Sequence, residues 1–335
     1  LILFSLVFYS GCSLWPLDPV NSGESNFELL WKEYKLCYAL FEEKGVDWDQ
    51  VYRDYRPLVT SETSEVELFA IFKNILSLLN DTHIQLSSPF DFYKSGKGYL
   101  IENTFSLNNV KNNYLTSWKN DSSDYFTYGY LAPDVGYIHI RTMMSGETGI
   151  DTHEQWVEEI NPILRGFSET RGLIVDVRNN GGGLIANSMY IASRFCDTKR
   201  VFSRSMTKNG PEPDDFSDVV ENTIEPAAEI YSKPVILLTD NKTASAAEDF
   251  TMAMNSIASV TQVGAPTLGI LSLSLKRELP NGWTYTVSVQ KVLDINGGSP
   301  EGVGIYPEAS NLIFNTLAEK NAGIDRQLEE AMGRL

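Results

Sequence analysis

The sequence predicts an α/β protein whose core is a mainly parallel sheet covered by helices. Three apolar runs typical of buried strands are each followed by a helical pattern. The strand run at 136–140 precedes the helical pattern at 153–167, the run at 172–177 precedes that at 184–195, and the run at 235–238 precedes that at 246–257. Unbroken apolar strands are expected where both sheet faces are covered, and repeated β–α units give parallel strands. With 335 residues, 42% of them hydrophobic, the chain can bury a sizeable core.

The remaining elements follow in order. Apolar residues at helical spacing predict helices over 27–44, 48–56 and 64–80, which together form an N-terminal helical cap. A short strand is predicted at 83–86, and the mixed polar and aromatic stretch 90–130 is predicted to form a small β region, too short for a PDZ insert. Further predictions are a strand at 260–263, a longer strand at 283–292 and a terminal helix near 324–332.

The N-terminus predicts export and lipidation. An apolar run of nine residues is followed by Ser10-Gly11-Cys12-Ser13, which resembles the end of a secretory signal and a bacterial lipobox. We therefore expect 1–11 to be a signal remnant and 12–26 a tether with a lipid on Cys12, at the periplasmic or outer-membrane side of the cell envelope. The alternative is an accidental apolar end with a free thiol. Three further units are predicted. The cap covers 27–82, the small β region covers 83–130, and the catalytic core covers 131–335.

Charge and cysteine content exclude several classes of protein. The chain carries 44 acidic and 27 basic residues, a net charge of -17, and no basic stripe, so nucleic acid is not an expected partner. Cys37 and Cys196 could form a disulfide or remain two buried thiols. Three histidines and no CxxC motif predict no metal site and no cofactor.

Ser245 is the strongest candidate nucleophile. It lies where the predicted strand 235–238 turns into an apolar helix, and helix-start amides stabilise negative charge. Taken alone, Ser245 and Glu248 also fit a helix capping box. The loop Asn180-Gly181-Gly182-Gly183 follows another buried strand and can present bare amides to an oxyanion. We therefore expect an oxyanion hole from Ala246 and either Gly181 or Gly182. A ligand-free turn or a phosphate loop are the alternatives, although no G-K-[ST] follows the glycines.

A serine hydroxyl needs a base within hydrogen-bond reach, and three histidines are available. His153 lies in the first turn of an amphipathic helix and is expected to be solvated. His139 alternates with its neighbours on a strand face and is expected to be structural. His83 follows the polar turn Asn80-Asp81-Thr82 between a helix and a strand, a place where clefts form.

These segments together resemble the S41 family of serine peptidases, which contains the C-terminal (tail-specific) processing proteases and the tricorn-like proteases. The matching segments are 79–86, 136–141, 171–183, 233–250, 264–269, 279–282 and 301–307. The resemblance implies that Ser245 is the nucleophile, that the glycine loop joins it in the oxyanion hole and that the substrate is a protein or peptide. It also implies a ClpP/crotonase-like β–α spiral core beneath the N-terminal helical cap.

The tail-specific members use a Ser–Lys dyad, with the lysine directly after a Gly-x-x-Thr-x-Gly segment. Here 264–269 has that pattern, but the next residue is Ile270, which cannot accept a proton. The tricorn-like branch uses a histidine from a D-x-H segment and a glutamate near the C-terminus. Asp81-Thr82-His83 and Glu301 match these, so the resemblance implies His83 as general base and Glu301 as the group that orients it. Glu308 and Asp176 are lesser candidates for that role.

Three functions are therefore considered. The first is a lipid-anchored serine endopeptidase of the cell envelope. The second is a non-catalytic protein of the same fold that binds a peptide or small hydrophobic ligand, which the missing lysine favours. The third is an esterase or amidase, which the absence of a G-x-S-x-G turn disfavours.

Overall fold

The computed structural model describes residues 20–96, 98–144 and 152–335. The predicted signal remnant and Cys12 lie outside these residues. Helices of the described part are α1 Gly23–Cys37, α2 Phe41–Lys44, α3 Trp48–Tyr55, α4 Glu65–Leu78, α5 Leu107–Asn109, α6 Ile160–Gly166, α7 Ile185–Ala192, α8 Ala246–Asn255, α9 Leu317–Asn321 and α10 Arg326–Arg334. Within these ranges no helix is long and apolar enough to cross a membrane.

Strands fall into three sheets. They are β1 Gln85–Ser87, β2 Phe92–Lys94, β3 Ser117–Asn120, β4 Phe126–Ala132, β5 Val135–Ile140, β6 Gly172–Asp176, β7 Arg200–Thr207, β8 Val220–Ile224, β9 Val235–Thr239, β10 Val260–Gly264, β11 Ser274–Glu278, β12 Thr284–Ser288 and β13 Gln290–Asp294. The sheet orders are β10-β9-β6-β5-β4-β3, β11-β12-β1-β2 and β13-β7-β8.

The six-stranded sheet is the core of the molecule. Strands β5, β6, β9 and β10 run parallel to their neighbours in that series, and β3 and β4 extend the sheet as antiparallel strands. Strands β5, β6 and β9 are buried along their whole length, as expected of parallel strands covered on both faces. The predicted α/β class and helix-covered parallel sheet are confirmed.

The N-terminal helices share a second core with the four-stranded sheet. Phe27, Phe72 and Trp283 are fully or almost fully buried together, so strands from near the C-terminus complete the helical unit. Stretch 83–130, predicted as one small β region, contributes strands to both this sheet and the six-stranded sheet.

Two predicted elements differ from the structure. The helix predicted over 27–44 stops at Cys37, because the Ala39 amide donates to the Ser288 carbonyl (2.9 Å) rather than into a helix. The single strand predicted over 283–292 is wrong. At Val289, whose amide donates to the Leu273 carbonyl (2.8 Å), the chain leaves the four-stranded sheet and enters the three-stranded one.

Candidate active site

Ser245 lies at the junction between β9 and α8 in an unusual backbone conformation. Its φ of 55° and ψ of -128° are rarely adopted by a residue with a side chain, and such strain costs on the order of 1–3 kcal/mol. The Ser245 amide donates to Glu248 Oε2 (2.9 Å), which is one half of the predicted capping box. Strained backbone conformations cluster at functional sites. The surrounding hydrogen bonds maintain this conformation at Ser245, which is half-buried.

The glycine loop packs directly against this serine. A Cβ on Gly182 would lie 2.8 Å from Ser245 Cβ and 2.9 Å from the Ala246 nitrogen, so only glycine fits there. The Ala244 amide donates to the Asn180 carbonyl (2.9 Å) and ties the two turns together. The structure therefore brings the two predicted halves of the oxyanion hole into contact.

The three candidate oxyanion donors differ in how their amides are used. The Gly182 amide donates to Asn180 Oδ1 (2.9 Å), which stabilises the loop. Among the described residues, the amides of Ala246 and Gly181 have no acceptor. Of the three predicted donors, Ala246 and Gly181 are therefore the two whose amides are free to bind an oxyanion.

His83 is held by its backbone. Its amide donates to Asp81 Oδ1 (2.8 Å), and its carbonyl accepts the Thr286 hydroxyl (2.6 Å). The ring Nδ1 is buried and has no hydrogen-bond partner in the described part of the chain. Burial lowers the pKa of His83, and the positive charges of Lys94 and Lys44 lower it further. The negative charge of Asp81 acts to raise this pKa but does not outweigh the burial. The imidazole is therefore kept neutral, the form that can accept a proton.

Glu301 is buried, and among the described residues only one of its two carboxylate oxygens has hydrogen-bond partners. Its Oε2 accepts the amides of Leu271 (2.9 Å) and Ser272 (3.2 Å). Its Oε1 has no hydrogen bond from the described residues but lies 3.6 Å from Lys44 Nζ. Burial, reinforced by Asp81, raises the pKa of Glu301 to about 7, while Lys44 and the Leu271 amide act in the opposite direction.

The segment 268–272 lies beside the three stretches of chain that carry the predicted residues. Gly98 lies between Leu268 and Thr82, the residue before His83. A Cβ built on Gly98 would be within 3.1 Å of both side chains. The Gly269 and Ile270 amides donate to Glu248, three residues after Ser245. The next two amides of the segment bind Glu301, as described above.

No hydrogen bond joins His83 to Ser245 or Glu301 within the ranges that the structure describes. Their three segments meet, but the predicted triad is not hydrogen-bonded in this state. Ile270, at the position of the dyad lysine, offers no base and contributes its amide to Glu248 (2.9 Å).

The other sequence candidates lie elsewhere. His139 Nε2 is 3.2 Å from the Arg178 carbonyl in the buried core, and His153 stacks on Tyr190 at the surface. Asp176 binds the Arg178 amide and guanidinium (3.0 and 2.6 Å). Glu308 is exposed. Cys37 and Cys196 are free thiols, so the disulfide alternative is not formed.

Sequence reasoning missed Lys44 and the second role of Asp81. Asp81 Oδ2 accepts the hydroxyls of Ser288 (2.7 Å) and Tyr38 (3.1 Å), which fixes the turn before His83. A carboxylate two residues before a histidine was visible in the sequence. Lys44 gave no signal, because it lies 257 residues from Glu301 and reaches it only in the folded chain.

Comparison with known proteins gives consistent matches. The model of Peptidase family S41 matches residues 134–310, which contain the glycine loop, Ser245 and Glu301, and the Tricorn protease C1 domain model matches 19–77. A crystal structure of a candidate peptidase from Parabacteroides merdae is 32% identical, with a TM-score of 0.82 over 93% of this chain and 96% of that one.

Other relatives are less similar in sequence. The carboxy-terminal processing protease CtpA of Bacillus subtilis is 28% identical over 138 residues, which are 41% of this chain and 28% of that protein. This chain therefore matches less than a third of the length of that relative. Mature CPAF complexed with lactacystin is 13% identical with a TM-score of 0.67, over 92% of this chain and 97% of that one, a likeness of fold alone.

Proposed function

The chain belongs to peptidase family S41, and from that premise we propose that it is a serine endopeptidase with Ser245 as nucleophile. One observation carries the proposal. Ser245 has a strained, positive-φ backbone, packs against Gly182 and is followed by the Ala246 amide, which has no acceptor in the part of the chain that the structure describes. A hydroxyl beside unpaired amides at a helix start is suited to acyl transfer, because the amides stabilise the oxyanion that forms.

In the proposed reaction, Ser245 Oγ attacks the peptide carbonyl carbon while His83 takes the hydroxyl proton. The amides of Ala246 and Gly181 bind the oxyanion of the tetrahedral intermediate. His83 then gives the proton to the leaving amine, and water releases the acyl group by the same route. Glu301 stabilises the imidazolium, which requires that its carboxylate be charged.

The proposed triad needs His83 to move toward Ser245 and Glu301, since neither hydrogen bond is present among the described residues. Catalytic hydrogen bonds often tighten only when substrate binds. His83 belongs to the turn after the N-terminal helices, so a shift of that helical unit can make or break the triad. Free and inhibitor-bound crystal structures test this, and an unchanged Ser245–His83 distance would remove the idea.

The first experiment is degradation of unfolded casein by the purified protein and by its Ser245→Ala and His83→Ala variants. Each variant should lose on the order of 10⁴-fold in kcat, because triad members act as a unit. Ser256→Ala, at the opposite end of α8, is the matched control and should retain activity. Cleavage that survives in Ser245→Ala would exclude the proposed nucleophile.

A second candidate is a non-catalytic binding protein of the same fold. Two observations favour it: the described part of the chain shows no triad hydrogen bonds, and Ile270 stands in place of a lysine. A folded protein that cleaves neither casein nor small ester substrates, but binds peptide equally well with and without Ser245, would support this alternative.

We also propose that the protein is held at the cell envelope by a lipid on Cys12. The proposal rests on Ser10-Gly11-Cys12-Ser13 after an apolar run. Metabolic labelling with a fatty acid should mark the full protein and not its Cys12→Ser variant, and equal labelling of the two would contradict it.

A further inference from the structure

A cavity of about 460 Å³ lies between the N-terminal helices and the connection from β7 to β8. One wall comes from 35–49, which contains the end of α1, helix α2 and the start of α3, and the other comes from 208–216. Sites for small ligands usually enclose roughly 300–1,000 Å³, so this space is large enough for a side chain. The described lining includes none of Ser245, His83 and Glu301, so the cavity is separate from the candidate active site.

Aromatic rings form much of the apolar part of the lining. Phe41 is half-buried, and the centre of its ring lies 4.7 Å from that of Tyr38 and 5.2 Å from that of Trp48. On the opposite wall Phe216 is half-buried, and Lys208 Nζ lies 5.2 Å from the centre of its ring. Partly exposed rings of this kind can hold both the alkyl stem and the charge of a basic side chain.

The rim of this cavity is acidic. Every lining residue that is ionisable and exposed to solvent carries a carboxylate, and these residues are Glu42, Asp47, Asp49, Glu212 and Asp214. Among the described residues, Glu212 and Asp214 have no ion pair, so their charges are available to a ligand. Both lie on the same wall as Phe216. A ligand that enters therefore meets negative charge beside an aromatic ring.

The lysines of the lining do not cancel the charge of the rim. All three are half-buried or buried, and each already has an acceptor. Lys35 and Lys291 pair with rim carboxylates at 2.6 and 3.1 Å, and Lys208 donates to two backbone carbonyls of its own wall. The lining thus holds five carboxylates and three ammonium groups, a net charge of -2. Charge complementarity therefore favours a cationic occupant.

Two lining segments link the cavity to the candidate active site. The Tyr38 hydroxyl donates to Asp81 Oδ2 (3.1 Å), which holds the turn before the proposed base. Helix α2 begins with Phe41 in the lining and ends with Lys44, whose Nζ lies 3.6 Å from Glu301 Oε1. An occupant that contacts Phe41 therefore lies about one helical turn from the charge beside Glu301.

We propose that this cavity is an exosite that binds an arginine or lysine side chain of the peptide substrate. The alkyl stem lies over Phe41 and Phe216, and the charged head lies among the rim carboxylates. There an ammonium or guanidinium group gains both a cation–π contact and charge-assisted hydrogen bonds. The net charge of -17 attracts a basic ligand from a longer range. The inference rests on the proposed peptidase function, and it names a basic residue, away from the cleaved bond, as a feature of the substrate.

The test is isothermal titration of the Ser245→Ala variant of the full chain with two capped dipeptide probes. Acetyl-alanyl-arginine amide carries the charge, and acetyl-alanyl-citrulline amide has nearly the same shape without it. The arginine probe should bind about tenfold more tightly, because the cation–π contact and the charge complementarity both require the charge. The preference should shrink at high salt, because the rim is open to solvent. Equal affinity for the two probes, or no binding of either, overturns the inference.

Glu212→Gln combined with Asp214→Asn should remove most of the preference for arginine, and a preference that survives in this double variant also overturns the inference. Asp218→Asn removes an exposed carboxylate of the same connection outside the lining, so this matched control should preserve the preference.

A second measurement tests the substrate as the occupant. With the unmodified protein, the arginine probe should raise the apparent KM for unfolded casein several-fold, whereas the citrulline probe should not. The double variant should lose this effect. A KM that does not respond to the bound arginine probe would overturn the substrate as the occupant. Casein cleavage that depends on Ser245 tests the proposed function separately, because binding of the probes does not need the nucleophile.

Discussion

Opposing influences meet at Glu301. Burial and the nearby Asp81 favour the protonated carboxyl, whereas Lys44 Nζ, 3.6 Å from Oε1, favours the carboxylate. The balance brings the pKa of Glu301 to about 7. A group that titrates near neutrality responds strongly to the loss of a single neighbouring charge. Lys44 is therefore a positioning residue for the proposed triad, although it contacts no substrate atom in our mechanism.

The first prediction concerns the Lys44→Met variant. Removal of the ammonium raises the pKa of Glu301 further, so a higher pH is needed to charge it. The acid limb of the kcat/KM profile should move up by about one pH unit, because a nearby opposite charge typically shifts a carboxyl pKa by about that much. His83 sets a lower limb, since burial lowers its pKa. The measurement is kcat/KM for a peptide substrate from pH 5 to 9.

Lys44→Arg keeps the charge and should restore the original limb, a rescue that a purely structural role in packing would not predict. Glu43, the neighbouring residue, pairs instead with Lys291 (2.8 Å), so Glu43→Gln is the control from the same helix. A profile that keeps its midpoint in Lys44→Met would show that Glu301 does not depend on this charge.

At the scale of elements, the first turn of α8 organises the loop that follows β10. The Glu248 carboxylate accepts hydrogen bonds from the Ser245, Gly269 and Ile270 amides and from the Thr267 hydroxyl, at 2.6–2.9 Å. One buried side chain thus holds both the strained serine and the segment that reaches Glu301. This explains why Glu248 is retained in the interior although burial raises its pKa.

The second prediction is that Glu248→Gln lowers both activity and stability. The amide has one acceptor oxygen in place of two, so some of the four donors lose their partner. Each unsatisfied buried group costs about 1–3 kcal/mol, and Tm should fall accordingly. We expect kcat to fall at least tenfold, because the conformation of Ser245 depends on this bond.

Asp249→Asn is the comparison for stability. Asp249 is the next residue of α8, and burial together with Glu248 raises its pKa to about 7. A neutral amide there replaces a group that is already partly protonated, so Tm should change little. Equal losses of Tm in the two variants would mean that helix packing, and not the hydrogen bonds of Glu248, accounts for the effect.

The sequence predicted the elements whose signal is local. Apolar strands followed by helical patterns predicted the parallel sheet. The S-x-x-E pattern at 245–248 predicted the hydrogen bond from the Ser245 amide to the Glu248 carboxylate. It could not predict the bonds from Glu248 to Gly269 and Ile270, because these join segments that meet only in the folded chain. The break at Val289 was equally hidden, since alternating residues continue through it while the chain changes sheets.

At the scale of the whole molecule, a buried ion-pair network ties the glycine loop to the C-terminus. Arg178, at the start of the loop, binds Asp176 (2.6 Å) and Asp325 (2.7 Å), and Asp325 caps α10 through the Leu328 amide (3.1 Å). All three charged side chains are almost completely buried. Helix α10 therefore supports the loop that contributes to the proposed oxyanion hole.

The final prediction is that Asp325→Asn destabilises the fold in a pH-dependent way. Burial acts to raise the pKa of Asp325, but Arg178 and the other donors hold it below its usual value. The carboxylate thus stabilises the folded state above its unfolded pKa of about 3.9, and this contribution is lost as the pH falls through its lower folded value. Breaking a buried pair typically costs 3–5 kcal/mol, so we expect a loss of about 3 kcal/mol in the free energy of unfolding at pH 7. Urea unfolding at pH 7 and pH 3.5 measures it.

The exposed pair between Arg171 and Asp134 (3.1 Å) supplies the control, because ion pairs in solvent contribute little. Asp134→Asn should leave the urea midpoint nearly unchanged at both pH values. If Asp325→Asn behaves in the same way, Arg178 is satisfied by Asp176 alone and the C-terminal helix does not support the glycine loop. If instead the loss is large at pH 7 and smaller at pH 3.5, the loop and the C-terminus form one cooperative unit, and kcat for casein should fall with the stability.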